Sequence, residues 1–217
     1  LVVLFLNSSN WDLFYWNLDK TLHFGVQPNV ALMLALGENA DVSLLIDWIY
    51  IYFFKYMRYA AILFLLEIRG RDLAEKFFLA YTLLWALGAF SYLITPADGP
   101  CYSVLTHYAI APEEQRHTLK FPVTREVPAE YLKIYEEAKI WKAKLEQEKL
   151  WHHRLRFIAG EGYPGRLYGI AAMPSLHCAG VVLVMIFLYF LSGAAFIFGA
   201  IFAAFIVVGS VFLQWHY

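Results

Sequence analysis

Residues 173–217 contain no Lys, Arg, Asp or Glu, a charge-free run of 45 residues. A transmembrane helix needs about 20 predominantly apolar residues, and this run is too long for one buried core helix. Ser192-Gly193 divides it into two apolar stretches, residues 175–191 and 194–213. In lipid every backbone polar group must be satisfied internally, so such stretches are expected to be helices. The rest of the chain agrees. Of its 217 residues 60% are apolar, 18% aromatic and only 16% charged, against about 25% charged in an ordinary soluble domain. A net charge of −1 gives no electrostatic footprint for nucleic acid. Strong hydrophobicity with two cysteines excludes intrinsic disorder and a disulfide-stapled scaffold. The sequence therefore predicts an all-α, polytopic membrane helical bundle, with residues 1–217 as a single membrane domain.

Charge is gathered in one place. The chain has 17 Lys and Arg and 18 Asp and Glu, and 21 of these lie in residues 96–172. That segment reads as a polar insert between spans. Upstream, residues 44–68 and 77–94 are two further candidate spans, joined by a segment bearing Arg69, Arg71 and Lys76. Short loops rich in Lys and Arg stay cytoplasmic, which places the insert on the extracytoplasmic side: periplasm, extracellular space or a lumen. By parity His177 and His216 return to that same face. Residues 11–38 mix aromatic residues with Asp12, Asp19, Lys20 and His23, as expected of interfacial helices. The apolar start, residues 1–7, is too short to span and lacks the basic start of a signal peptide. It reads as the tail of an earlier span, and the chain stops where another should begin. Four full spans are expected here, with losses at both ends.

Within the insert, residues 128–157 read as one long amphipathic helix, with Pro128 in its first turn and Gly160 as its stop. Tyr131, Ile134, Ala138, Trp141 and Leu145 recur at spacings of three and four, which puts them on one face. Glu136, Lys139, Lys142, Glu146 and Lys149 lie opposite. The expected roles are a membrane-surface helix, a lid, or a docking helix for a partner.

Two histidines stand in the charge-free run, His177 at the start of its first stretch and His216 just after the second. An antiparallel hairpin brings both imidazoles to one end, and a polar residue in such a setting is a functional candidate because its burial is costly. Paired imidazoles suit phosphoryl transfer. One, neutral, attacks phosphorus and becomes a phosphohistidine, while the other protonates the departing oxygen. Histidine serves both roles because its pKa lies near neutrality. Pro174 and Ser175 suit a helix start whose first N–H groups form an anion site beside His177.

Here the sequence resembles a known family. Met173-Pro174-Ser175-Leu176-His177 resembles the second signature of the type 2 phosphatidic acid phosphatase superfamily, whose core is Pro-Ser-x-His. Trp215-His216-Tyr217 resembles the third, with its nucleophilic histidine at a helix end. Residues 92–100, Tyr-Leu-Ile-Thr-Pro-Ala-Asp-Gly-Pro, occupy the place of the first. They are closer to the branch of inositol phosphorylceramide and sphingomyelin synthases than to the phosphatases. The resemblance implies a six-span bundle, His216 as nucleophile and His177 as general acid, then base. It implies substrate contacts from Ser175 and Tyr92, and a membrane lipid substrate with alcohol or water as acceptor. The sequence also departs from the family's pattern. The first signature's Lys and Arg are missing from residues 92–100, Ser210 stands where the third signature has an Arg, and the third signature's Asp falls beyond Tyr217.

With those cations missing, another must balance the phosphate charge. Arg166, in the Gly-rich approach to His177, is the first candidate, followed by Arg154 and Arg156. Lys55 and Arg58 are expected to pair structurally with Asp47 or Glu67. Ser175 lacks the Gly-x-Ser-x-Gly setting of a hydrolase nucleophile. Cys178 reads as a small helix residue, and a Cys101–Cys178 disulfide is compatible with an extracytoplasmic insert. His107, His117, His152 and His153 match no standard zinc spacing. No metal and no cofactor are expected. The predicted function is head-group transfer on phospholipid-type substrates, inositolphosphotransferase-like. The alternatives are a lipid phosphate phosphatase using water, and a non-catalytic membrane subunit on the same scaffold.

Overall fold

In a computed structural model of the chain, residues 11–66, 71–101, 128–158 and 172–217 are described. Every regular element among them is helical. The order is α1 (Asp12–Leu22), α2 (Pro28–Leu36), α3 (Ala40–Ile51), α4 (Phe53–Leu65), α5 (Arg71–Ile94), α6 (Ala129–Glu137), α7 (Trp141–Ile158), α8 (Leu176–Leu191) and α9 (Gly193–Phe212).

The helix starts follow local chemistry. Pro28 begins α2, where its missing N–H is no loss. Asn39 caps α3 by accepting from the N–H groups of Asp41 and Val42. Ser175 and Ser192 cap α8 and α9 through the N–H groups of Cys178 and Ala195.

Two helices among the described residues have the length and apolarity to cross a membrane, α5 with 24 residues and α9 with 20. The other two expected spans differ. α8 is apolar but has 16 residues. Residues 44–68 are not one described helix, because α3 and α4 meet at Tyr52.

The long insert helix also needs correction. Residues 128–157 form α6 and α7, with Ala138 in an extended conformation between them (ψ 139°). Asp47 of α3, itself buried, explains the break. Its carboxylate accepts from the N–H groups of Lys142 (2.7 Å) and Ala143 (2.8 Å), satisfying donors at a new helix start. Ile140 is fully buried at the junction. The break also shifts the phase of the pattern. Tyr131, Ile134 and Ala138 are buried as expected, but Trp141 and Leu145 are exposed, and α7 buries Ala143, Gln147, Leu150 and Trp151 instead.

α8 and α9 form the central hairpin. α5 and α4 flank α8, α3 and α2 flank α9, and α7 packs on α3 while α6 packs on α2. The main core takes in Met33, Ile46, Phe53, Phe64, Phe77, Val181, Val184, Ile206 and Phe212. A smaller cluster, Tyr15, Ala97 and Ala172, packs with Trp11, Met173 and Tyr217. Many large apolar side chains on α4, α5, α8 and α9 face outward, as suits a lipid surroundings better than water.

Close packing sets one glycine position. At Gly209 of α9 an added Cβ would lie 2.9 Å from Cδ2 of Tyr50. Gly209→Val is expected to destabilise the fold by about 1–3 kcal/mol through overpacking. Gly193→Ala, where a Cβ meets open space, is expected to stay within about 0.5 kcal/mol. Thermal unfolding of the purified full chain in detergent compares the two.

Candidate active site

The α8–α9 hairpin returns the chain on itself, and its open end carries both histidines. His177 is the second residue of α8, and His216 lies four residues past the end of α9. Nε2 of His216 is 3.3 Å from Nδ1 of His177, with the ring planes at 49°. His216 is buried and His177 half-buried.

One hydrogen bond fixes the chemistry of His216. Its Nδ1 is 2.8 Å from the carbonyl oxygen of Ala172. A carbonyl only accepts, so Nδ1 carries the proton, and in the neutral ring the lone pair lies on Nε2. Nε2 then accepts from His177, whose Nδ1–H is the donor. Burial pushes the His216 imidazole down to about 4, with the Ala172 bond partly offsetting it. The ring is therefore neutral at physiological pH.

Aromatic rings hold His177 from the other side. Phe53 lies 4.3 Å away between centroids, Phe54 5.5 Å and Tyr50 5.6 Å. Tyr50 in turn stacks nearly parallel on Trp215. Tyr50, Phe53 and Phe54 escaped the sequence reading, because aromatic residues at helical spacing look like ordinary core.

The site opens on a cavity of about 430 Å³. Tyr50, Phe53, Phe54, Trp85 and Leu176 give it an apolar wall, and Asp47, Lys142 and Glu146 bring polar groups from α3 and α7. Lys142 is the Lys or Arg among the described lining residues. One continuous helix over residues 128–157 puts Lys142 opposite the apolar face, and the α6–α7 break is what brings it to the cavity. Its ammonium also lies 5.5 Å over the Trp48 ring.

The remaining predicted residues are placed as follows. The Tyr92 ring lines the cavity while its hydroxyl donates to the Pro174 carbonyl at 2.7 Å, tying the end of α5 to the turn before α8. The Ser175 hydroxyl is engaged as the α8 cap. Arg156 is exposed on α7. Arg154 lies in the same helix with its side chain outside the described residues, and Arg166 is outside them altogether. Lys55 and Arg58 are exposed on α4. Lys55 sits 4.6 Å over the Tyr52 ring, whereas the Asp47 carboxylate is taken by the start of α7. Glu67 lies outside the described residues.

Cys101 and Cys178 are not joined in a disulfide, and Cys178 Sγ lies 3.3 Å from the Ser210 hydroxyl. Among the described residues no three His, Cys, Asp or Glu side chains converge on a point that could hold a metal ion. His152 and His153 lie on α7, and His107 and His117 are outside the described residues.

Asp12 of α1 is buried. Its carboxylate accepts from the N–H groups of Asp98 (3.1 Å) and Gly99 (2.8 Å) and from the Tyr217 hydroxyl (2.7 Å). Burial and the neighbouring carboxylate hold the Tyr217 phenol far above its ordinary value, so it remains a donor.

The family model described as the PAP2 superfamily matches residues 14–217. No curated protein and no solved structure matches the chain.

The depressed imidazole makes stability depend on pH. Between about 4 and 6.5 the unfolded chain binds a proton at His216 that the folded chain does not. Stability from this group is complete above pH 6.5 and is lost as pH falls toward 4. Denaturation of wild type and His216→Gln across that range is expected to show a shallower decline in the variant.

Proposed function

The chain belongs to the PAP2 superfamily, and from that premise we propose that it transfers a phosphate-linked head group between lipid-type substrates through a phosphohistidine on His216. The superfamily contains lipid phosphatases, and the reading takes the same chemistry with an alcohol as acceptor. The observation that carries it is the imidazole pair, 3.3 Å apart beside an apolar cavity of about 430 Å³.

In the first step Nε2 of His216 uses its lone pair to form an N–P bond, and the P–O bond to the departing lipid alkoxide breaks. His177 gives a proton to that oxygen. The negative phosphate favours the protonated imidazole while substrate is bound. In the second step an acceptor alcohol gives its proton to His177 as its oxygen bonds phosphorus. The N–P bond breaks and the lone pair returns to Nε2. Water in the same role makes the protein a lipid phosphatase. The wall formed by Tyr50, Phe53, Phe54, Trp85 and Leu176 suits a lipid acceptor better than water.

Lys142 supplies positive charge for the phosphate from the cavity wall, with Arg166 as the further candidate from the approach to His177. Ser175 sets the start of α8, whose first N–H groups favour an anion. Tyr92 gives its ring to the wall. Arg71 and Lys76 stand at the start of α5, while Trp85 and Tyr92 lie toward its other end. Taken as a multi-pass membrane protein, the chain is oriented by the positive-inside rule with its site facing the periplasm, the extracellular side or a lumen.

The test incubates the full chain with head-group-labelled phosphatidylinositol, with and without ceramide as the acceptor alcohol. A new labelled head-group lipid is expected, falling at least about 10³-fold in His216→Ala. Release of labelled inositol phosphate alone indicates water as the acceptor. Turnover in His216→Ala equal to wild type rejects the phosphohistidine, and the absence of any turnover in either leaves a non-catalytic subunit. In the same assay Lys142→Gln is expected to raise KM about tenfold with kcat within about twofold, the pattern of lost ground-state binding.

A further inference from the structure

His216 is held by polar residues that no signature motif specifies. Past Phe212 the chain turns through Leu213 into Gln214, whose φ of 62° lies in the left-handed region that a helix end usually gives to glycine. The turn closes with the N–H of Gln214 on the Val211 carbonyl (3.1 Å) and those of Trp215 (2.9 Å) and His216 (3.1 Å) on the Ser210 carbonyl. That leaves the carbonyls at the end of α9 short of donors in apolar surroundings.

Side-chain amides from three elements meet them. Nε2 of Gln147, on α7, donates to the Leu213 carbonyl at 2.6 Å. The Tyr135 hydroxyl of α6 donates to the Oε1 end of the same amide, so its NH2 end must face Leu213. Nδ2 of Asn29, on α2, donates to the carbonyls of Val211 (2.9 Å) and His216 (3.0 Å). Nε2 of Gln214 reaches the carbonyl of Asn29 (3.1 Å) and those of Val211 and Phe212 (3.2 Å each). Asn29, Gln147 and Gln214 are each at most 1% exposed.

We infer that Asn29, Gln147 and Gln214 are positioning residues for His216. They fix the backbone of residues 211–216 on both sides of the imidazole and thereby set where Nε2 lies. The inference rests on His216 being the nucleophile. A glycine at position 214 would serve the left-handed turn by itself. A glutamine there does more, since its amide, with that of Asn29, binds the nucleophile's turn reciprocally to α2. Gln147 does the same from α7, the helix that also brings Lys142 and Glu146 to the cavity. The polar insert is thus part of the catalytic scaffold as well as a cavity wall.

The decisive variant is Gln214→Gly, which suits the left-handed conformation and removes only the amide. Gln147→Met keeps the side chain's size and removes its hydrogen bonds. Both are assayed in the full chain with labelled phosphatidylinositol, alongside nitrogen chemical shifts of isotope-labelled histidine. Each is expected to lower kcat about 10- to 100-fold with KM within about twofold, since a displacement near 1 Å costs about 100-fold. The His216 nitrogens are expected to move from a single Nδ1–H tautomer to a mixture. Wild-type kcat in Gln214→Gly overturns the inference, as does a lowered kcat with unaltered His216 shifts, which marks a purely structural role. Should Gln147→Met fail to fold, Tyr135→Phe decides for that residue: a smaller fall in kcat with near-normal melting supports it, and no fall removes it. The shifts read the clamp independently of turnover, whereas His216→Ala active as wild type rejects the nucleophile itself.

Discussion

The end of an apolar helix is a chemical problem, and the structure around His216 is organised by its solution. The last carbonyls of α9 have no intrahelical donors, and a lipid-like setting offers no water to replace them. The chain closes three of these bonds with its own backbone and draws the rest from Asn29, Gln147 and Gln214. Those donors come from helices that would otherwise have little reason to meet. α2 and α7 are therefore joined to α9 by polar bonds of fixed direction, where apolar packing alone would tolerate sliding. The bulky core residues supply most of the burial, and the amides select one register.

Much of this site was legible in the sequence. A stretch without charges makes each histidine within it conspicuous, and a serine-glycine turn between two apolar stretches fixes a hairpin that brings them to one end. What escaped reading has no sequence mark of its own. The partner of His216 Nδ1 is a backbone carbonyl at Ala172, and any residue type there would supply the same atom. The break between α6 and α7 depends on Asp47, about 95 residues away in the chain, while the local pattern of residues 128–157 is that of one continuous helix. Lys142 followed from the same error. Asn29, Gln147 and Gln214 looked like unremarkable polar residues, because their partners are backbone atoms of another segment.

The electrostatics of the site are mild for a centre meant to handle phosphate. A carbonyl sets the tautomer of His216 as a carboxylate would, but it brings a dipole and no full negative charge. Together with burial this leaves the imidazole neutral, with its Nε2 lone pair held only by the weak 3.3 Å bond from His177. The opposing demand in the proposed reaction is that charge develops on the ring once nitrogen bonds phosphorus. The phosphoryl oxygens themselves carry the compensating negative charge, at bonding distance from that ring. A site of this kind gains reactivity from a neutral, aligned nucleophile, and so depends heavily on alignment.

Alignment is also where the three signature segments meet a residue outside all of them. Asp12 accepts from the backbone at positions 98 and 99, in the first segment, and from Tyr217, next to His216 in the third. Ala172, at the threshold of the second segment, donates its N–H to the Ala97 carbonyl and gives its own carbonyl to His216. A displacement of α1 therefore reaches His216 by two routes, through Tyr217 and through Ala97 and Ala172. A buried carboxylate with its donors in place is rigid, because breaking any one bond leaves a polar group unpaired at a cost of about 1–3 kcal/mol. Helix α1, in a segment expected from the sequence to hold interfacial helices, is by this connection a structural member of the same centre.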